Sequence, residues 1–269
     1  MKKNIQTISI TSGKGGVGKT TLVSNLSYCL AEQGARVLIL DGDLGMANVD
    51  IMFGKRARQS IANLIAGEAG LEDVLVELTP RISLIPGGSG VYGLHNLDYV
   101  AKTALMDQVS QLEDDFDVML IDTAPGISDN VLYLNSAAQE CVVVVTPDPS
   151  SLTDAYALIK VLHKRHFENR FSIVCNLVRD EQEALTVYRR LSDVTSQFLC
   201  VSLNLKGYVP LDPTLRKATK LQQLICQAEP RSPSSLAMGS IAKSLCDFKY
   251  LYEAKGGLQF FWKQLSGVA

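Results

Sequence analysis

The sequence predicts an α/β fold of three layers, with a mostly parallel central sheet between two layers of helices. Three observations predict it. Five short runs are almost continuously apolar, as strands covered on both faces should be. Longer stretches with helical spacing of apolar residues separate them. The order strand, helix, strand recurs along the chain, which is the order of right-handed crossover units.

The expected strands are residues 5–11, 36–41, 82–86, 117–122, 141–146, 171–176 and a run over 201–210. The expected helices are 19–33, 97–112, 129–138, 152–165, 182–198, 214–226 and 234–253. In the first helix Leu22, Leu26, Cys29 and Leu30 recur on one face, and Gly34 stands where a C-cap belongs. The only linker-like stretch is Glu229-Pro230-Arg231-Ser232-Pro233-Ser234, with a second break at Gly256-Gly257. These breaks suggest one domain over residues 1–255 and a tail over 256–269, with the last helix and the tail as mobile appendages.

Composition narrows the function classes. The 269 residues carry a formal charge of -2, with 46% hydrophobic and 20% charged residues, the make-up of an ordinary soluble globular chain. That balance gives no global attraction to nucleic acid, and direct DNA binding is not expected. The start of the chain runs straight into a strand pattern, leaving no room for a signal peptide. No run approaches the roughly 18 apolar residues of a membrane span. The expected location is cytoplasmic, with room for peripheral contact at the inner face of the membrane or the cell pole. The cysteines at 29, 141, 175, 200, 226 and 246 form no CxxC pair or Cys/His cluster, so they read as reduced, buried thiols.

The strongest signal is Gly13-Lys14-Gly15-Gly16-Val17-Gly18-Lys19-Thr20, which matches G-x-x-x-x-G-K-[ST] between a strand and a helix. Glycines let backbone N–H groups wrap phosphates, and the helix start adds more unpaired N–H groups. Lys19 reaches the β- and γ-phosphates, Thr20 offers an oxygen to Mg²⁺, and Thr21 adds a further nucleotide contact. Because Lys19 fills the place along the phosphates, Lys14 points elsewhere, either into solvent or to a phosphate across a subunit interface.

Acidic side chains gather at the same sheet edge. Asp41 and Asp43 close the second strand; Asp43 is assigned the attacking water and Asp41 a supporting role near the metal, with turn capping as the other reading. The strand 117–122 delivers Asp122 for Mg²⁺, and Gly126 makes the following segment a switch that senses ATP. Asn176 offers an amide for adenine, or ends its strand as a simple turn residue. Pro210, Leu211 and Asp212 form a second candidate base-contact loop.

These motifs resemble the MinD/ParA class of P-loop ATPases, whose deviant loop KGGxGKT stands here as Lys14 to Thr20. The resemblance covers nearly the whole chain. It implies a P-loop NTPase fold that hydrolyses ATP to ADP with Mg²⁺. It also implies an ATP-dependent homodimer in which Lys14 contacts nucleotide in the opposing subunit. By the same resemblance Asp43 is the catalytic switch aspartate, Asp41 its neighbour near the metal, Asp122 the magnesium residue of the second switch and Asn176 the adenine reader. The stretch Gly207-Tyr208-Val209-Pro210 resembles the lead into the base-contact loop.

Within the class the chain looks most like the flagellar number regulators, the FlhG/FleN group. The likeness lies in residues 43–50, 153–160 and 216–218 and in the tail Gly257-Leu258-Gln259-Phe260-Phe261. It implies a regulator of flagellar number, placement or gene expression that binds the AAA+ master activator of flagellar transcription. The few residues before the first strand leave no place for the N-terminal activating extension of some members, so the regulator reading rests on surfaces of the core and on the transcription-factor partner. A DNA-binding partitioning ATPase and a division-site MinD are the alternatives.

In the tail Leu258, Phe261, Trp262 and Leu265 fall at helical spacing, and three lysines against one glutamate lie between Lys249 and Lys263. Such a helix suits a membrane surface, the protein's own core or a binding partner. The cluster His163-Lys164-Arg165-His166 with Arg170 suits a helix C-terminus, where positive charge is favoured.

Overall fold

A computed structural model of the chain describes residues 5–43, 48–87, 107–108, 112, 115–246 and 260–262. Eight strands form one sheet: β1 Gln6–Thr11, β2 Val37–Gly42, β3 Val76–Thr79, β4 Ile82–Ile85, β5 Val118–Thr123, β6 Glu140–Val145, β7 Arg170–Val178 and β8 Ser202–Pro210. Their order is β3-β4-β2-β5-β1-β6-β7-β8, and every pairing is parallel except β3 with β4. The chain leaves β1 towards β2 on one side, and β5 returns past β1 to β6 on the other. Connections therefore diverge at the carboxyl end of β1, where open α/β sheets bind ligands.

The helices are α1 Lys19–Glu32, α2 Val49–Met52, α3 Ile61–Ile65, α4 Leu71–Val74, α5 Asp129–Ala137, α6 Pro149–His166, α7 Glu181–Phe198, α8 Pro213–Lys220, α9 Ile225–Ala228 and α10 Pro233–Leu245. Alternation along the strands sorts the core into two layers. Ile8, Ile10, Ile39 and Leu120 pack with α1 and α10 on one face. Leu38, Leu40, Met119 and Ile121 face the other way, among residues of α3, α4 and α5, and the α6 and α7 side chains continue that layer over β6 and β7. Gly34, at φ 97, terminates α1 by donating its N–H to the Ala31 carbonyl.

Four expectations change. The helix expected over 214–226 is two helices, because Gln222 adopts φ 55 and Gln223 N–H turns back to the Ala218 carbonyl, ending α8 without a glycine. The stretch 229–234 is no linker: Ser232 caps α10 by accepting the Ser235 N–H at 3.2 Å, and Ser235 Oγ donates to the Glu229 carbonyl. That helix is core and not an appendage, since Met238, Ile241 and Leu245 are buried on it. β3 and the short α2, α3 and α4 are additional elements.

Of the places open to the tail, Phe261 and Trp262 take the core: both are fully buried, in one cluster with Ile5, Leu38 and Met119. In this arrangement neither ring is presented to a membrane. Leu258, Leu265, Gly256-Gly257, His95 and residues 247–253 lie outside the described residues, as does most of the helix expected over 97–112. Four cysteines are buried, but Cys246 is half-buried and Cys200 is exposed where the chain leaves α7. Among the described residues no group of three metal-ligating side chains occurs, and no helix is long and apolar enough to cross a membrane.

Candidate active site

The loop between β1 and α1 owes its shape to its glycines. Gly16 (φ 75) and Gly18 (φ 92) stand in the left-handed region, where an L side chain is strained. A Cβ on Gly13 would lie 2.2 Å from the Asp154 carbonyl carbon, so the loop lies against the start of α6. Val17 is buried and anchors the loop. Ser12, which the motif does not include, ties the ends together: its Oγ donates to the Lys14 carbonyl at 2.6 Å and accepts from Lys19 Nζ at 3.0 Å. Burial lowers the Lys19 pKa, and the charges of Asp122 and Asp43 oppose that shift.

The two lysines diverge. Lys19 is buried, whereas Lys14 turns outward to Asp148 and Ser150 at the start of α6. The hydrogen bond from Lys14 is the main reason the Asp148 carboxyl is held down at about 2. The sequence reading did not single out Asp148 and Ser150, although Asp-Pro-Ser after a strand is a legible helix start.

Asp41 and Asp122 are register partners on β2 and β5 and point to the α1 face. Asp41 accepts backbone N–H groups from Asp43 (3.1 Å), Asn48 (3.2 Å) and Val49 (3.4 Å), which is a holding role for the loop that carries Asp43. Burial pushes its pKa up to about 6 against those hydrogen bonds. Asp122 is more deeply enclosed. Burial pushes it up to about 7, opposed by a hydrogen bond from Thr20 and reinforced by the Asp41 charge. Its Oδ1 is buried with no hydrogen-bond partner among the described residues. A buried carboxylate oxygen without a donor, beside a threonine hydroxyl, is a hard-oxygen set that fits Mg²⁺. Gly126 (φ 97) donates its N–H to the Ser12 carbonyl at 2.9 Å, joining the segment after β5 to the phosphate loop.

Beside the loop opens a cavity of about 580 Å³, walled by Gly16, Gly18, Thr21, Asn176, Leu211 and Asp212, with Arg216 and Lys220 on α8. Asn176 Nδ2 donates to the Val17 carbonyl at 2.7 Å, and its Oδ1 accepts the Leu177 N–H at 2.9 Å. That leaves one N–H and one lone pair for a ligand. Asp212 caps α8, accepting the Thr214 N–H at 2.8 Å. Pro210 ends β8, and its carbonyl accepts from Ser234 Oγ at 3.5 Å. The structure thus gathers residues 13–21, Asp41, Asp43, Asp122 and Asn176 around one crevice, gives Asp212 and Pro210 holding contacts at its rim, and turns Lys14 outward. Arg216 and Lys220 were missed as cavity residues, because only the packing of α8 brings them there, and Leu177 joins them from β7, where it follows Asn176 at φ 58.

Known proteins share this plan. The family described as an AAA domain matches residues 5–173. The chain is 39% identical over 261 residues to the antiactivator FleN of Pseudomonas aeruginosa, spanning 97% of this chain and 93% of that protein. It is 34% identical over 273 residues to the flagellum site-determining protein YlxH of Helicobacter pylori, spanning 98% and 90%. The septum site-determining protein MinD of Pyrococcus horikoshii, solved in complex with Mg-ADP, matches with a TM-score of 0.69 at 26% identity, over 91% of this chain and 97% of that one. The fold and the phosphate loop define a P-loop ATPase. Within that class the chain belongs to the MinD/ParA family, in the company of FleN and YlxH.

Proposed function

We propose that the chain is an ATP-gated dimerisation switch that regulates flagellar number, placement or gene expression, and that its ATP form binds the AAA+ master activator of flagellar transcription. The divergence of two lysines in one loop carries the reading. Lys19 serves the phosphates of its own subunit, while Lys14 stands at the surface, where a second copy can reach it. The relatives named as an antiactivator and as a flagellum site-determining protein support the cellular role.

In this reading backbone N–H groups of residues 13–20 and the start of α1 hold the phosphates of ATP or ADP. Lys19 lies along the β- and γ-phosphates, and Asn176 reads adenine from the cavity wall with its remaining N–H and lone pair. Thr20 and Asp122 hold Mg²⁺, with Asp41 close by, and the ion neutralises charge that builds on the phosphates. Asp43 orients the attacking water and takes up its proton, positioned through the Asp41 contacts. Lys14 exchanges Asp148 for nucleotide in a second copy, which ties pairing to the bound triphosphate. Hydrolysis to ADP removes that contact and releases the pair.

The test is binding of purified activator to the immobilised chain. Wild type should capture it in ATP and release it in ADP, and Lys14→Ala should capture none in either. Equal capture in ATP and ADP, or none in ATP, overturns the proposal.

A further inference from the structure

On the sheet face away from α1, five hydrogen-bonding side chains are joined within a largely apolar layer directly behind the active site. Ser9 and Thr11 of β1, Thr123 of β5, Asn135 of α5 and Cys141 of β6 are all buried. Asn135 uses its whole hydrogen-bonding capacity there. Its Oδ1 accepts from Ser9 Oγ at 2.8 Å and from Cys141 Sγ at 3.3 Å, and its Nδ2 donates to Thr11 Oγ1 at 3.1 Å and to the Val131 carbonyl at 2.7 Å. Thr123 Oγ1 completes the chain, 2.9 Å from Thr11 Oγ1 and 3.2 Å from the Ile10 carbonyl.

The placement of the two threonines gives the network its meaning. Thr11 precedes Ser12, which holds Lys19 through its Oγ and Gly126 through its carbonyl. Thr123 follows Asp122. Because side chains alternate along a strand, Thr123 grips the rear of the same strand end that presents Asp122 in front. Apolar isosteres would fill this layer without the cost of desolvating hydroxyls and a carboxamide. Hydrogen bonds add fixed distance and direction, which apolar contact does not.

We infer that Thr11, Thr123 and Asn135 are positioning residues for ATP hydrolysis, a hydrogen-bonded brace that sets the carboxylate of Asp122 against the Lys19 end of the phosphate loop. The inference rests on the ATPase reading and adds to it residues that never touch nucleotide. A slack brace leaves the phosphate cradle formed and the ligand bound, but misplaces the groups that act on the transition state.

Thr11→Val removes the hydroxyl at nearly constant shape, and Thr11→Ser keeps it. With the full chain, folding checked by circular dichroism, Thr11→Val should lower kcat about tenfold while the KM for ATP stays within about twofold, and Thr11→Ser should restore kcat to within about twofold of wild type. Thr123→Val, which cuts the same chain from the β5 side, should repeat the result, and it carries the test if Thr11→Val does not fold. Wild-type kcat in the Val variants overturns the brace, as does a Thr11→Ser variant as impaired as Thr11→Val, since the methyl packing would then be responsible. Wild-type protein that turns over no ATP would strike the ATPase reading instead.

Discussion

The seat of the tail yields a sharp energetic prediction for Trp262→Ala. Trp262 and Phe261 are fully buried, their rings meet edge to face at 5.9 Å, and both lie among Ile5, Leu38, Leu40, Met119 and Ile121. Truncating a buried tryptophan costs about 3–5 kcal/mol. At the low end of that range the loss is roughly 3 kcal/mol. For a urea dependence of about 3 kcal/mol per molar, the unfolding midpoint falls by about 1 M. Trp262→Phe keeps most of the apolar contact, so its midpoint should stay within about 0.3 M of wild type. Urea unfolding followed by far-ultraviolet circular dichroism reads both. A Trp262→Ala midpoint within about 0.2 M of wild type would refute the core seat.

Two further outcomes follow from the active site. Burial raises Asp122 to about 7 and Asp41 to about 6, from 3.8, so the folded chain holds these protons more tightly than the unfolded chain. Without nucleotide or magnesium the fold should then lose stability as pH rises from about 4 to about 7. Asp122→Asn should melt well above wild type at pH 8 and close to it at pH 4.5; an offset equal at both pH values would contradict the assignment. At Gly18 a new Cβ would stand 2.5 Å from Asn176 Nδ2 on a residue at φ 92. Calorimetric titration of Gly18→Ala should show ATP affinity reduced at least about tenfold, the effect of about 1.4 kcal/mol. Unchanged affinity would mean that the loop does not hold the phosphates in this conformation.

The sequence was most legible where one physical rule acted alone. Strands such as Val142 to Val145, buried on both faces, can be little else, and the glycine loop with Lys19 and Thr20 has a spacing set by the phosphates it wraps. Helix ends with proline or a capping side chain, as at Asp212-Pro213, were close to their observed places. Legibility failed where tertiary contacts chose among equals. The four-residue β3 and α2 are too short to show a period, and α8 ends at Lys220, two residues before Gln222 takes φ 55 without a glycine to mark the turn. The polar members of the brace were hidden inside apolar runs: Ser9 and Thr11 read as tolerated interruptions of a strand until Asn135 is seen to meet both. For the tail, helical spacing of Phe261 and Trp262 fits lipid and core alike, so only the surrounding cluster decides.

In the proposed switch the bound triphosphate gates pairing of two copies through Lys14. Sedimentation velocity of Asp43→Ala, which should bind ATP without hydrolysing it, tests this most directly. The expected result is a dimer in ATP, a monomer in ADP, and a monomer in both once Lys14→Ala is added. The same sedimentation coefficient for Asp43→Ala in ATP and in ADP would contradict it.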